Sequence, residues 1–433
     1  MKKFYLSMIA LLGITAGASA QACNGGRYES DVYTTVTVNS SITYGSNTTY
    51  TGSTQTLTLD EYEAAGDTCT NRPLIIWVHG GSFLSGSSTD VDVQSLSNHF
   101  AKKGFVCASI NYRLGMSAID SAQAILAVIR AVQDLKAAIR FFYMDRKTTN
   151  TYKIDTNNIF IGGSSAGALT VDHVAYLTRD CQIVTPGYIT EANLTAMGGL
   201  EGTSGNAGYS DKIKGCISLC GALGRYYWME AGNVPLCSMH GTSDATVIYG
   251  RGIVNPGVPL MYLDGDRILN AQALAVGVSN NFYTWINAPH VPYAGTSATQ
   301  LAYMDTTVNF VRDFLIQQLG CTNPALQPAD APYGTANLYT HTTCPVGIAS
   351  IEGAGLVLEA YPNPSNDKVT IELANGEGQY TVQLSDISGR MVSTGTTAKS
   401  TYVIEKGGLS AGVYFIRVSD TKGLTTTKKI IFY

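Results

Sequence analysis

Between residues 74 and 286 the chain repeats one pattern: a short unbroken apolar run, then a stretch with helical periodicity. The runs cover residues 74–78, 105–110, 159–161, 216–220, 236–239 and 282–286. A strand that is apolar on both faces has to be covered on both faces, so the pattern predicts a mostly parallel sheet flanked by helices. One helix is explicit. Ile125, Val128, Ile129, Val132, Leu135, Ile139 and Phe142 recur at helical spacing, with Arg130, Asp134, Lys136 and Arg140 between them. Residues 306–319 predict another, ending at Gly320. Ahead of the repeats, residues 32–44 and 54–62 are rich in Thr, Val and Tyr and read as antiparallel strands.

The two ends read differently. Lys2 and Lys3 precede an apolar run at residues 4–14, too short to span a bilayer, and Ala18-Ser19-Ala20 follows as a small-residue cleavage pattern. Residues 1–20 are therefore expected to be a signal peptide, with export through the periplasm. Cys23 raises a lipoprotein alternative, against which Ala20-Gln21-Ala22 makes a poor lipobox. Residues 21–345 are expected to form the main α/β domain and residues 346–355 a linker, because residues 321–355 lack periodicity and hold Pro324, Pro328, Pro332 and Pro345. From residue 356 to 433 only short alternating strands remain, at 369–373, 380–385, 413–418 and 426–432, which predict a small all-β sandwich.

With 433 residues, 45% of them hydrophobic and only 14% charged, the chain has enough apolar surface for an ordered core. Loss of the leader lysines takes the formal charge from −4 to −6, and no basic patch is dense enough for nucleic acid. No later run is apolar over the ~18 residues that a membrane helix needs. The nine cysteines show no metal-ligand spacing, so neither metal nor cofactor is expected. Cys321 with Cys344 is the expected disulfide and Cys23 with Cys69 a second. Cys107, Cys216, Cys220 and Cys237 lie in apolar runs and read as buried thiols.

Chemistry enters at Gly163-Ser164-Ser165-Ala166-Gly167, which follows a strand-like run and precedes a helical one. G-x-S-x-G in that setting places the central serine on a tight strand-to-helix turn, at a helix N-terminus that favours negative charge. Ser165 is the candidate nucleophile; Ser164 reads as a capping serine. His79-Gly80-Gly81-Ser82-Phe83 follows the 74–78 strand, and the N–H groups of Gly81, Ser82 and Ala166 are the candidate oxyanion donors. His79 precedes the nucleophile and reads as loop-stabilising. Asp244, in the loop after residues 236–239, is the candidate acid, with Asp264 and Asp266 as rivals. His290, in the loop after residues 282–286, is the candidate base, with His341 as rival; His240 reads as structural.

These residues carry a resemblance. From about residue 56 to 320 the chain resembles the esterase/lipase branch of the α/β-hydrolase superfamily, with His79-Gly80-Gly81, Ser165 in its elbow, Asp244 in His-Gly-Thr-Ser-Asp, and His290 in the superfamily's chain order. Asn111-Tyr112-Arg113-Leu114 and Val132-Gln133-Asp134-Leu135-Lys136 also match segments familiar there. Ser82 replaces the third glycine of HGGG, and Ser164 replaces the acid common before the nucleophile. The resemblance therefore implies a mechanism and no substrate. Residues 356–433 resemble the C-terminal sorting domain of the type IX secretion system of Bacteroidota, through Tyr361-Pro362-Asn363-Pro364, Asp386-Ile387-Ser388-Gly389-Arg390, Leu409-Ser410-Ala411-Gly412-Val413-Tyr414 and Lys428-Lys429-Ile430-Ile431. That implies the type IX machinery as partner and a secreted or cell-surface location.

The expectation is a serine esterase acting on carboxylic esters, small or polymeric. The alternatives are an extracellular depolymerase of polyesters or plant-wall feruloyl or acetyl esters, a peptidase, and a non-catalytic surface adhesin. Tyr226-Tyr227-Trp228 and Phe83 are candidate pocket residues, and residues 181–210 a candidate cap.

Overall fold

The six apolar runs become six adjacent parallel strands of one eight-stranded sheet. The computed structural model describes residues 24–184, 189–321, 338, 357–374, 379–387, 389–421 and 425–433. The expected signal peptide, Cys23, Cys344 and His341 lie outside them.

The strands are β1 (Val36–Thr48), β2 (Thr54–Ala64), β3 (Arg72–Val78), β4 (Val106–Ile110), β5 (Ile154–Ser164), β6 (Gly215–Leu219), β7 (Ala222–Leu223), β8 (Leu236–Gly241), β9 (Arg251–Ile253), β10 (Tyr262–Gly265) and β11 (Asn280–Trp285). The helices are α1 (Val91–Lys102), α2 (Ser121–Lys147), α3 (Ala166–Tyr176), α4 (Asp180–Ile183), α5 (Glu191–Ala196), α6 (Asp266–Val276) and α7 (Ala298–Gln318). The large sheet runs β1-β2-β4-β3-β5-β6-β8-β11, with β1 and β2 antiparallel at one edge. A three-stranded sheet, β7-β10-β9, stands beside it.

Alternation along β3 shows why the runs are apolar throughout. Leu74, Ile76 and Val78 pack into one core with Ile129 of α2, Val171 of α3 and Ile268 of α6, whereas Ile75 and Trp77 pack into another with Val93 of α1 and Phe310 of α7. Helix α7 starts at Ala298, eight residues before the periodicity predicts. Its first turns are too polar to register, but Ser297 and Gln300 form a capping box that starts it. Strand β1 starts four residues late and runs on to Thr48 through two register shifts.

After residue 356 come β12 (Val357–Tyr361), β13 (Lys368–Ala374), β14 (Tyr380–Asp386), β15 (Met391–Thr397), β16 (Thr401–Glu405), β17 (Gly412–Ser419) and β18 (Thr425–Phe432). They form two antiparallel sheets, β12-β13-β16 and β15-β14-β17-β18, around Val369, Ile371, Ile416, Val418 and Ile430. Strands β12, β15 and β16 escaped the sequence reading. The latter two are short and largely exposed, so little apolar alternation marks them.

Cys107, Cys216, Cys220 and Cys237 are buried free thiols. Cys69 is also free, which overturns the Cys23–Cys69 pairing: its N–H donates to Asp67 and its thiol faces the Asn71 carbonyl at 3.6 Å within a local turn. Cys321 is disulfide-bonded, as is Cys181.

Candidate active site

Aligned register brings four loops together at the C-terminal end of the sheet. Val78 pairs with Gly163, Ser164 with Leu219, Leu219 with Met239, and Gly241 with Trp285. The chain leaving each of these strands ends on the same face, where open α/β sheets bind ligands.

Ser165 sits between β5 and α3 at φ 55°, ψ −118°, a strained conformation for a residue with a side chain. Close packing imposes it: a Cβ on Gly167 would lie 1.9 Å from the Val78 carbonyl oxygen, and one on Gly163 would lie 2.2 Å from the Gly167 backbone. The Ser165 N–H donates to the Leu219 carbonyl at 3.0 Å. Its Oγ lies 2.7 Å from His290 Nε2, and His290 Nδ1 lies 2.6 Å from Asp244 Oδ2. The other Asp244 oxygen accepts the N–H groups of Thr246 and Val247, each at 2.9 Å. Burial alone would push the Asp244 carboxyl up. The imidazoles of His240 and His290 outweigh it and hold that carboxyl well below the usual carboxylate range.

The β3–α1 loop closes over the serine. Gly81 (φ 97°) and Ser82 (φ 57°) have left-handed backbones. Among the described residues nothing accepts the N–H of Gly81, Ser82 or Ala166. His79 is buried, stacks on Tyr112 at 4.4 Å, and faces the Gly80 carbonyl with Nδ1 at 2.8 Å. The Tyr112 hydroxyl donates to the carbonyls of His79 and Gly80. Arg113 Nε pairs with the buried Asp134 at 2.9 Å. The two family-like segments thus brace the loop rather than enter the site.

The rivals for the acid lie elsewhere. Asp264 is taken by Arg251 Nε at 2.5 Å and the Tyr226 N–H at 2.8 Å. Asp266 pairs with His240 at 2.8 Å. Among the described residues one group has metal-ligand spacing: Cys220, Asp244 and His290, with ligand atoms within 4.8 Å of one another. Two of its members already hold the Ser165 hydrogen-bond chain, and burial pushes the Cys220 thiol up, away from the thiolate that binds metals.

Residues 59–201 match the BD-FAE family model, and residues 359–433 match the secretion system C-terminal sorting domain. The chain carries an esterase-type α/β-hydrolase domain and a secretion sorting tail. The hydrolase domain is similar to Carboxylesterase 3B of Mus musculus, 33% identical over 120 residues, which are 27% of this chain and 19% of that protein. It is also similar to Gut esterase 1 of Caenorhabditis elegans, 29% identical over 111 residues, 25% of this chain and 19% of that protein. The chain thus spans about a fifth of the length of these curated relatives. The apo form of Thermogutta terrifontis esterase 2 superposes with a TM-score of 0.44 at 20% identity, over 67% of this chain and 96% of that one. The sorting tail implies export, to the cell surface or beyond it. No helix among the described residues is long and apolar enough to cross a membrane.

Two cavities meet at Ser165 in the hydrolase domain. One, of about 540 Å³, is lined chiefly by apolar side chains, among them Phe83, Val128, Leu169, Trp228, Val247 and Leu263. Phe83, Tyr227 and Trp228 therefore line a pocket, whereas Tyr226 is buried behind them. Of the expected cap, Gln182, Ile183 and Val184 reach the lining. The second cavity, of about 440 Å³, lies between the Gly80–Ser82 loop, Asp90, Asp92 and His290. The sequence reading missed two residues of the site. His240 touches Asp244 at 3.2 Å, and Tyr293 touches Ser164 at 2.9 Å. An i, i+4 His–Asp spacing straddling a strand end was a signal for the first; nothing marked the second.

Proposed function

We propose that the protein is an exported serine esterase that cleaves carboxylic esters through an acyl-enzyme on Ser165. The observation that carries this reading is the chain of contacts from Ser165 Oγ to His290 Nε2 and from His290 Nδ1 to Asp244 Oδ2. His290 takes the Ser165 proton as Oγ attacks the ester carbonyl, and Asp244 holds the ring and stabilises the imidazolium. The developing oxyanion is met by the N–H groups of Gly81, Ser82 and Ala166, which have no other acceptor among the described residues. His290 then protonates the departing alcohol. Water, activated by the same ring, releases the acid. No step calls for a metal or a cofactor.

The 540 Å³ apolar cavity favours esters with one sizeable hydrophobic group, held while the other half leaves through the second cavity. A small-molecule ester is the first reading and an insoluble polyester or plant-wall ester the second; export supports either. Passage through the periplasm, guided first by residues 1–20 and then by the tail, completes the proposal. The test is hydrolysis of p-nitrophenyl esters of graded chain length by the full chain and by its Ser165→Ala variant. Turnover by the first and none by the second is expected. No turnover returns the adhesin reading, and turnover that survives the substitution overturns Ser165 as the nucleophile. Turnover confined to polymer films moves the assignment to a depolymerase.

A further inference from the structure

Behind the Asp244 turn, outside the lining of either cavity, lies a second buried histidine–carboxylate pair. His240 is the penultimate residue of β8 and Asp266 opens α6; both have no exposed surface. His240 Nδ1 is 2.8 Å from Asp266 Oδ2. On the far side of the ring, Nε2 is 2.9 Å from the Val247 carbonyl oxygen and 3.2 Å from Asp244 Oδ2. Among the described residues every polar atom facing the two ring nitrogens is thus an oxygen; Asp266 Oδ2 also accepts the Gly221 N–H at 3.1 Å, and burial pushes its carboxyl up against the lowering by the bond and charge of His240. A neutral imidazole has a single N–H and would leave a lone pair against a buried oxygen, whereas an imidazolium donates on both sides. Asp244 Oδ2 is therefore shared between His240 and His290, while Oδ1 is held by two backbone N–H groups.

We propose that His240, anchored by Asp266, is a positioning residue for the acyl transfer at Ser165: it donates to the Asp244 carboxylate from behind, fixes the orientation that presents Oδ2 to His290, and offsets its buried charge. The proposal rests on the esterase reading.

The other groups packed around the pair leave it as the charged element. Asp172 lies across Ser218, whose hydroxyl donates to it at 2.8 Å, and the Cys216 thiol faces it at 3.7 Å. Burial and the nearby Asp266 push the Asp172 carboxyl well up, towards its neutral form. Burial likewise pushes up the thiols of Cys216, Cys220 and Cys237 and the phenol of Tyr176. The Tyr249 ring stands edge-on to His240 at 5.7 Å, with its hydroxyl on Thr284. Burial would lower the His240 ring, but its bonds to Asp244 and Asp266 outweigh that and raise it to about 10. A cation on this side weakens the pull of Asp244 on a proton at His290.

The test uses the full-length protein, His240→Gln and Asp266→Asn, with wild type and Ser165→Ala as controls. Turnover is counted per site titrated with an activated phosphonate ester. Both variants are expected to lose about tenfold or more in kcat per titrated site, with KM little changed. The acid limb of kcat/KM is expected to move up by roughly half a pH unit or more in His240→Gln. A folded variant with wild-type kcat and an unmoved limb overturns the proposal. A purely structural role would lower the titratable fraction and leave both readouts alone. Should the variants not fold, the nitrogen-15 shifts of His240 in the wild-type protein decide at about pH 8: both ring nitrogens protonated supports the proposal, and a neutral ring overturns it. Wild type without Ser165-dependent turnover sinks the esterase reading instead, a result separate from either.

Discussion

The hydroxyls of Ser164 and Tyr293 lie 2.9 Å apart, both buried, and join the residue before the nucleophile to the loop that carries the base. Tyr293 also donates to the Leu219 carbonyl at 3.3 Å, the same oxygen that accepts the Ser165 N–H. One carbonyl thus fixes the nucleophile's backbone and the loop of His290 together. Tyr293→Phe leaves Ser164 without its partner, at a cost of about 1 kcal/mol in stability. It is expected to lower kcat several-fold while KM holds, read from steady-state kinetics beside a thermal melt. An unchanged kcat would show that the loop keeps its place without this contact.

Gly81 has φ 97°, and a Cβ there would lie 2.1 Å from the Ser85 carbonyl oxygen. Gly81→Ala must therefore move the loop that offers two of the three oxyanion donors. A loss of about 10²–10³ in kcat is expected, with little change in KM. Comparison with the far side of the loop is informative: Ser85→Ala removes only a weak 3.4 Å contact to the Gly81 carbonyl and should leave kcat near wild type.

The apolar cavity gives a substrate-dependent prediction. Val128 of α2 lines it and belongs to neither the triad nor the oxyanion loop. Val128→Trp fills part of the space. KM for an octanoyl ester is expected to rise about tenfold or more, while an acetyl ester changes little. Equal effects on both esters would place neither ester group in this cavity.

Glu61 makes the stability of the fold depend on pH independently of catalysis. It is 1% exposed on β2. Its Oε2 accepts from Asn39 Nδ2 at 2.7 Å, and among the described residues its Oε1 has no partner. Burial pushes its carboxyl up to about 7 against the weaker lowering by Asn39. The unfolded group titrates near ~4.3, so the native state binds the extra proton between those values. Stability from this site is therefore full below about pH 4.3 and is lost as pH rises through about 7. Glu61→Gln keeps the shape without the charge. Its melting temperature should exceed wild type by several degrees at about pH 8 and match it near pH 4.5. A gain of equal size at both values would contradict the account.

Much of this was legible in the chain because the physics was local. Unbroken apolar runs, as at Leu74 to Val78, reported strands buried on both faces, and the glycines at 163 and 167 reported a turn with no room for a Cβ. Ser165, Asp244 and His290 were each placed by a strand that ends just before them, and the structure brings the three together. What escaped depended on distant partners. Tyr293 meets Ser164 across 129 residues, and Asp266 meets His240 across 26 through packing of α6 on β8. Nearness of two strands in sequence does not bring their thiols together, and a local turn satisfies Cys69 instead. The exposed strands of the tail carried too little apolar alternation to be seen.

The central claim is that Ser165 is the nucleophile of an acyl transfer, and covalent labelling tests it most directly. An activated phosphonate ester is incubated with the full-length protein, and intact and peptide masses are measured. The account predicts one adduct per chain, localised to Ser165, absent in Ser165→Ala and strongly slowed in His290→Ala. No adduct, or an adduct on another residue that persists in Ser165→Ala, would contradict it.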